Sequence, residues 1–69
     1  METVHTTESE SVWVHEFVEK NQTFYNVMSC PSGSFKAYFC GEYTDFVEAK
    51  AIADKLAAKA LKRLAASLN

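Results

Sequence analysis

The chain has 69 residues and a formal net charge of −2 at neutral pH. A chain of this length forms one domain, and such a domain buries only about 60% of its unfolded surface. No apolar stretch approaches the roughly 18 residues that a membrane-spanning helix needs, and the N-terminal segment lacks the basic-then-apolar order of a signal peptide. We therefore expect a cytoplasmic protein, of the producing or a host cell, that does not bind membranes.

The N-terminal segment, residues 1–11, is polar and shows no periodicity. Its glutamates and hydroxyl side chains offer too little apolar surface to form a core. We therefore expect a flexible tail over residues 1–11 and a single domain over residues 12–69.

Three stretches of this domain are rich in β-branched and aromatic residues, a composition that favours strands. They are residues 12–18, 23–30 and 35–40. Turn residues separate them, with Pro31 and Gly33 marking the second turn. Connections as short as these favour an antiparallel meander.

The end of the chain predicts one long helix over residues 46–68. This stretch has neither Gly nor Pro and is rich in Ala, Leu and Lys, which are strong helix formers. Thr44 or Asp45 can cap the first turn, and Glu48 follows Asp45 at the spacing of a capping box. The predicted fold is α+β: a three-stranded antiparallel sheet followed by one long C-terminal helix packed on one face, in the order β-β-β-α.

This helix has one apolar side at about 100° per residue. Its members are Phe46, Ala49, Ala53, Leu56, Ala57, Ala60, Leu64 and Leu68. Glu48, Lys55, Lys59, Lys62 and Arg63 lie on the opposite side. We expect the apolar side to pack on the sheet, and its many alanines to allow a close approach.

A two-residue turn at residues 20–21 pairs Phe17 with Phe24 and Trp13 with Met28. A three-residue turn would exchange the two faces of the first strand, because side chains alternate along a strand. In the two-residue register, the face expected under the helix carries Trp13, Phe17, Phe24, Met28, Cys30, Phe35, Ala37 and Phe39, with His15 opposite Asn26. The other face carries Val12, Val14, Glu16, Val18, Tyr25, Val27, Lys36 and Tyr38.

A second turn centred on residues 32–33 pairs Cys30 with Phe35 and Asn26 with Phe39. In this register Cys30 and Cys40 lie about five residue positions apart along the strands, which is roughly 17 Å. That separation is too large for a disulfide, so we expect both cysteines to be reduced.

The sequence shows no catalytic motif, neither a Gly-rich phosphate loop nor a nucleophile motif. Its cysteines and histidines lack the spacing of a zinc site, and we interpret His15 as structural. We therefore expect no enzymatic activity, no cofactor and no metal.

The expected uncovered face brings tyrosine and valine together, a combination that suits an interface because a tyrosine ring is apolar and its hydroxyl tolerates water. The helix is longer than the strands, so its last turns either overhang the sheet, with exposed leucines, or fray. The candidate partner-binding residues are Tyr25, Val27, Tyr38, Leu61, Leu64 and Leu68.

The charge is unevenly distributed, with −6 over residues 1–48 and +4 over residues 49–69. The basic side of the helix is therefore the candidate site for an alternative partner, a nucleic acid. Its residues are Lys55, Lys59, Lys62 and Arg63. The same asymmetry lets the helix end of one copy meet the acidic part of another, and we predict a symmetric homodimer.

The segment FCGEYTDFVEAKAIADKL resembles the junction between the last strand and the helix in phage integrase arm-binding domains and plant ethylene-response DNA-binding domains. The stretch TFYNVMSCP, followed later by TDFVEAKAIAD, is similar to HicB-like antitoxins, and EAKAIADKLAAKALKRL resembles the last helix of double-stranded-RNA-binding domains. These resemblances imply a β-β-β-α module. The integrase-like families further imply DNA binding by an arginine-rich sheet face, whereas this sheet offers only Lys20 or Lys36 and no arginine.

The function hypothesis is therefore a small, non-enzymatic protein-binding module. It would act as a phage or mobile-element inhibitor or as an antitoxin-like regulator, binding a protein partner through the uncovered Tyr/Val sheet face and the helix end. The alternative hypothesis is a nucleic-acid-binding module that uses the basic side of the helix.

Overall fold

The computed structural model describes residues 2–9, 11–31 and 35–67, with side chains as far as residue 62. Its elements are β1 Glu2–Thr6, β2 Val12–Glu19, β3 Gln22–Ser29, β4 Tyr38–Tyr43 and α1 Phe46–Ser67. The strands form one antiparallel sheet in the order β1-β2-β3-β4. The predicted α+β class, with an antiparallel sheet and a C-terminal helix, is confirmed, but the predicted count of three strands is wrong because the sheet has four.

The additional strand, β1, lies within the segment that was predicted to be a flexible tail. It pairs antiparallel with β2, and Val4 packs against the core. After β1, the buried Thr7 hydroxyl donates a hydrogen bond to the carbonyl oxygen of Val12 at 2.8 Å. Threonine and valine suit an edge strand, but one apolar residue makes no alternating pattern. The residues of β1 therefore show no periodic signal for a strand.

The β2–β3 hairpin has the predicted two-residue turn and the predicted register. Phe17 pairs with Phe24, and the pairing continues without a break to Val12 and Ser29. Lys20 and Asn21 have φ angles of 50° and 64°. Two consecutive positive φ angles are the mark of a type I′ turn, whose twist matches that of the flanking strands.

The register of the next hairpin was predicted wrongly. β4 spans Tyr38–Tyr43, three residues later than the expected strand over residues 35–40. As a result, Asn26 pairs with Glu42 where Phe39 was expected. The later start makes the connection between the strands longer than the tight turn that Pro31 and Gly33 indicated.

A β-bulge and a close contact accompany the shifted register of β4. Cys40 is an extra residue between the Val27–Gly41 pair and the next pair along the strands. A Cβ atom at Gly41 would lie only 2.9 Å from Oη of Tyr43. Glycine therefore leaves room for the Tyr43 ring, which packs against the core.

The helix covers the face of the sheet that was predicted to be uncovered. The buried core consists of three valines from the sheet and three alanines from α1: Val12, Val14, Val27, Ala49, Ala53 and Ala57. Alanine has no atoms beyond Cβ. The side chains on the opposing sheet face must therefore be small if helix and sheet are to reach close-packed contact. The small β-branched side chains of the three valines meet that requirement, and the aromatic rings on this side of the sheet, Tyr25 and Tyr43, are only partly buried against the core.

The bounds and the apolar side of the helix agree with the prediction over the described residues. The Val47 amide donates to Oδ1 of Asp45 at 3.3 Å, as at a helix N-cap. His5 Nε2–H donates to Oδ1 of Asp54 at 2.8 Å, and this bond ties α1 to β1. Phe46 continues the contact, with its ring 5.5 Å from that of Tyr25.

Enlarging an alanine under the helix tests the Ala–Val contact. Ala53 is 0% exposed, so Ala53→Leu forces extra methylenes into a filled space and should lower the free energy of unfolding by about 1–3 kcal/mol. Urea denaturation followed by circular dichroism measures this change.

Ala51→Leu is the matched control, because Ala51 is exposed on the same helix and Leu is nearly as good a helix former as Ala. Its effect should stay within about 0.5 kcal/mol. Equal stabilities for the two variants would contradict the packing of α1 through its alanines.

Candidate interaction surface

Side chains of β2, β3 and β4 that alternate with the core valines project from the side of the sheet opposite α1. We call this surface the aromatic face, and its described members are Trp13, His15, Phe17, Phe24, Asn26, Met28, Phe39 and Glu42. Trp13, Phe17, Phe24, Met28 and Phe39, which were expected under the helix, therefore lie on the outer side of the sheet. Phe35, also expected there, precedes β4 and is fully exposed.

Two pairs of rings give the aromatic face a fixed shape. Phe17 and Phe24 stack with their centroids 5.2 Å apart and their planes 23° from parallel. Trp13 Nε1–H donates to Nε2 of His15 at 2.8 Å. Because an indole N–H only donates, the accepting Nε2 carries no proton in this arrangement. The remaining nitrogen of the neutral ring, Nδ1, therefore carries the proton and is a donor.

Asn26 is the polar residue at the centre of the aromatic face. It is 7% exposed, and its Oδ1 finds no hydrogen-bond partner among the described residues. His15 on β2 and Glu42 on β4 are its cross-strand neighbours. An unsatisfied buried polar atom costs about 1–3 kcal/mol. The oxygen has essentially no accessible surface, so it is an unsatisfied acceptor inside the protein and not a contact point for another molecule.

The aromatic face carries little charge. Glu42 is its carboxylate, and its described members include neither lysine nor arginine. Lys20 lies at the tip of the β2–β3 hairpin, and Nζ of Lys36 lies 5.9 Å from the centroid of the Tyr38 ring. The face is therefore apolar with a slight negative charge, and it lacks the positive charge that binds phosphates.

Two of the predicted partner-binding residues are not on an uncovered face. Val27 is 0% exposed in the core, and Tyr25 packs against the core beside Phe46. Their predicted exposure is wrong because the helix lies on their side of the sheet. Tyr38 is 49% exposed, and it stands apart from them near the start of β4.

The predicted residues at the helix end are only partly within the description. Leu61 is 41% exposed and lines a shallow groove between α1 and the segment after β1, together with Thr7 and Glu8. Leu64 and Leu68 lie outside the residues whose side chains the structure describes. The grouping of the three leucines as a surface therefore remains a prediction.

The basic side of α1 is exposed where it is described. Lys55, Lys59 and Lys62 are all exposed, at spacings of four and three residues that place them on one side of a helix. The side chain of Arg63 lies outside the description. This basic strip belongs to α1 and is separated from the aromatic face by the sheet.

The described residues offer few candidate groups for a metal site or a membrane-spanning segment. These contain no group of three His, Cys, Asp or Glu side chains that could hold a metal ion. Cys30 and Cys40 are thiols, and Cys40 is exposed on β4. Within the described part of the chain, α1 lacks the length of apolar sequence needed to cross a membrane.

Comparisons with protein-family models, with curated protein sequences and with solved structures found no match for this chain. The most specific features of the aromatic face are its two ring pairs.

The bond from Trp13 to His15 can be tested in solution, because the chain has a single tryptophan and its indole proton gives one NMR signal. His15→Phe removes the acceptor. The indole proton should then move upfield and exchange faster with water, and stability should fall by about 1 kcal/mol.

His5→Phe is the control, because His5 bonds to Asp54 on the other side of the sheet. It should leave the indole signal in place. An indole proton that exchanges at the same rate with and without His15 would show that the bond is not formed.

Proposed function

We propose that this chain is a small, non-enzymatic protein-binding module that binds its partner through the aromatic face. The observation behind the proposal is the placement of Trp13, Phe17 and Phe24 on the side of the sheet opposite α1. Aromatic residues are enriched in protein interfaces and supply most of the residues that dominate binding energy. A face with one carboxylate and no lysine or arginine among its described members suits an apolar protein surface.

The remaining exposure of the aromatic face supports this proposal. Trp13, Phe17 and Phe24 are half-buried in the single chain, and Phe39 is 59% exposed. A helix on one side of a sheet leaves the other side uncovered, and binding a partner there removes the remaining apolar surface of these rings from water.

The contacts within the ring pairs also favour binding. The Phe17–Phe24 stack and the Trp13–His15 bond hold these side chains in place before a partner arrives. Side chains that are already ordered lose little entropy on association. We propose that these rings are the anchors of the interface and that Leu61, at the helix end, provides a second contact.

The biological role that fits such a module is inhibition or regulation in the cytoplasm. A chain of 69 residues with one apolar face can block a functional surface of a larger protein by occupying it. Phage or mobile-element inhibitors and antitoxin-like regulators act in this way, and we propose a role of this kind.

Nucleic-acid binding through α1 is the alternative, and the exposure of Lys55, Lys59 and Lys62 favours it. Salt distinguishes the two functions. Binding through several phosphate contacts weakens by about 10³-fold or more between about 50 and about 200 mM salt. An apolar interface on the aromatic face should change little over the same range.

Partner capture tests the proposed function directly. The immobilised chain is exposed to an extract of producing or host cells, bound proteins are identified by mass spectrometry, and the affinity is measured again with the purified partner. Phe17→Ser should weaken this affinity by at least about tenfold, because it removes an anchor ring from the aromatic face.

Val47→Ser is the matched control, since Val47 is an apolar side chain that is 71% exposed on α1. It should leave the affinity unchanged, and circular dichroism should show both variants to be folded. A partner that binds Phe17→Ser as tightly as the original chain would contradict the proposal. So would a partner whose binding is lost only when Lys55→Gln and Lys59→Gln are introduced.

A further inference from the structure

We propose that the groove between α1 and the segment after β1 binds a basic side chain of the partner protein, with the cationic head of that side chain at the carboxylates of Glu8 and Asp54. The groove has a volume of about 270 Å³. It lies on the α1 side of the sheet, away from the ring pairs of the aromatic face. The inference rests on the proposed function only for the nature of the partner, a protein.

The apolar lining of the groove comes from α1. It consists of Ala57, which also belongs to the buried core, together with Ala58 and Leu61. Leu61 is 41% exposed, so part of its side chain remains in contact with water. The groove is smaller than most small-molecule pockets, which begin near about 300 Å³. A single side chain with an aliphatic stem therefore fits it better than a cofactor does.

The charged lining of the groove is acidic. Glu8 and Asp54 both line it, and neither forms an ion pair with a lysine among the described residues. His5 donates to Oδ1 of Asp54 at 2.8 Å, which leaves Oδ2 to accept a further bond. Lys55 and Lys62 are close in sequence, but neither lines the groove. Charge complementarity therefore selects a cation as the occupant.

The wall of the groove opposite α1 is held in shape by hydrogen bonds among its own hydroxyl groups. The Thr7 hydroxyl donates to the carbonyl oxygen of Val12 at 2.8 Å. The hydroxyl oxygens of Thr7 and Ser9 lie 3.2 Å apart, and those of Ser9 and Ser11 lie 3.0 Å apart. Because this wall is ordered before binding, less entropy is lost when a side chain enters the groove.

A lysine or arginine side chain has both parts that this lining requires. Its methylene stem covers apolar surface while its charged head stays in contact with water and with the carboxylates. Arginine suits two carboxylates best, because its planar head offers five donors. Thr6, next to Thr7 of the groove, pairs with Trp13 of the aromatic face. One partner can therefore contact the face and the groove together at this end of the sheet.

An NMR titration of the isotope-labelled chain with N-acetyl-arginine amide, at constant ionic strength, tests this proposal. The amide signals of Thr7, Glu8, Ala58 and Leu61 should move together along one saturating curve. We expect a dissociation constant of about 1–10 mM, because exposed ion pairs and a short stem each contribute little. N-acetyl-citrulline amide has nearly the same shape without the charge, so it should bind about fivefold more weakly.

The double variant Glu8→Gln with Asp54→Asn removes both charges of the groove and should weaken binding of the arginine compound by about fivefold or more. Asp54→Asn keeps an oxygen for the bond from His5, so β1 should stay attached to α1. The control is Glu48→Gln, which removes an exposed carboxylate of α1 outside the groove and should leave the affinity unchanged.

Three results overturn the inference. One is a set of groove signals that do not move or do not saturate with the arginine compound. Another is an equal affinity for the arginine and citrulline compounds, or for the original chain and the double variant. The third is a purified captured partner that binds the double variant as tightly as the original chain, since about a fivefold loss is expected.

These outcomes are separate from a failure of the proposed function. If the arginine compound does not bind in the groove but Phe17→Ser abolishes capture of a partner, only the groove inference fails. If the arginine compound binds in the groove and Phe17→Ser leaves capture unchanged, the groove is a binding site and the proposed role of the aromatic face fails.

Discussion

The contact between the alanines of α1 and the valines of the sheet is the constraint on which the other features depend. Ala49, Ala53 and Ala57 are almost completely buried, and none has a side chain that could span a gap. The helix therefore packs closely only where the facing side chains of the sheet are small. Since side chains alternate along a strand, placing the valines inward turns Trp13 and Phe17 outward. One packing choice thus sets which residues of β2 and β3 lie on the aromatic face.

Local signals explain which parts of the fold could be predicted from the sequence. The helix has an N-cap and a helix-forming composition, and the β2–β3 hairpin has a two-residue turn whose register follows from its length. The covered face could not be found by counting apolar residues, because both faces are apolar and the aromatic one is larger. Comparing the sizes of the side chains on the two faces would have identified the covered face. A row of alanines on a helix requires small side chains opposite it, such as those of Val12 and Val14.

The positions of β1 and β4 depend on contacts between residues distant in sequence. β1 is held by pairing with β2, by Val4 in the core and by the bond from His5 to Asp54. β4 is placed by its bulge and by Tyr43 packing on the core. The sequence correctly placed His15 beside Asn26, but Glu42 joined them only through the shift of β4. Local sequence patterns therefore could not predict that His15, Asn26 and Glu42 lie side by side.

The distribution of apolar side chains connects stability to binding in this protein. Six small residues form the buried core, and a domain of this size has little stability to spare. The larger rings Trp13, Phe17 and Phe24 on the aromatic face are half-buried in the single chain, so covering their remaining surface would add further burial energy. A partner that binds only the folded state stabilises it in proportion to the logarithm of its concentration. Since the rings lie outside the core, that added stability can be gained or lost without changing how α1 packs on the sheet.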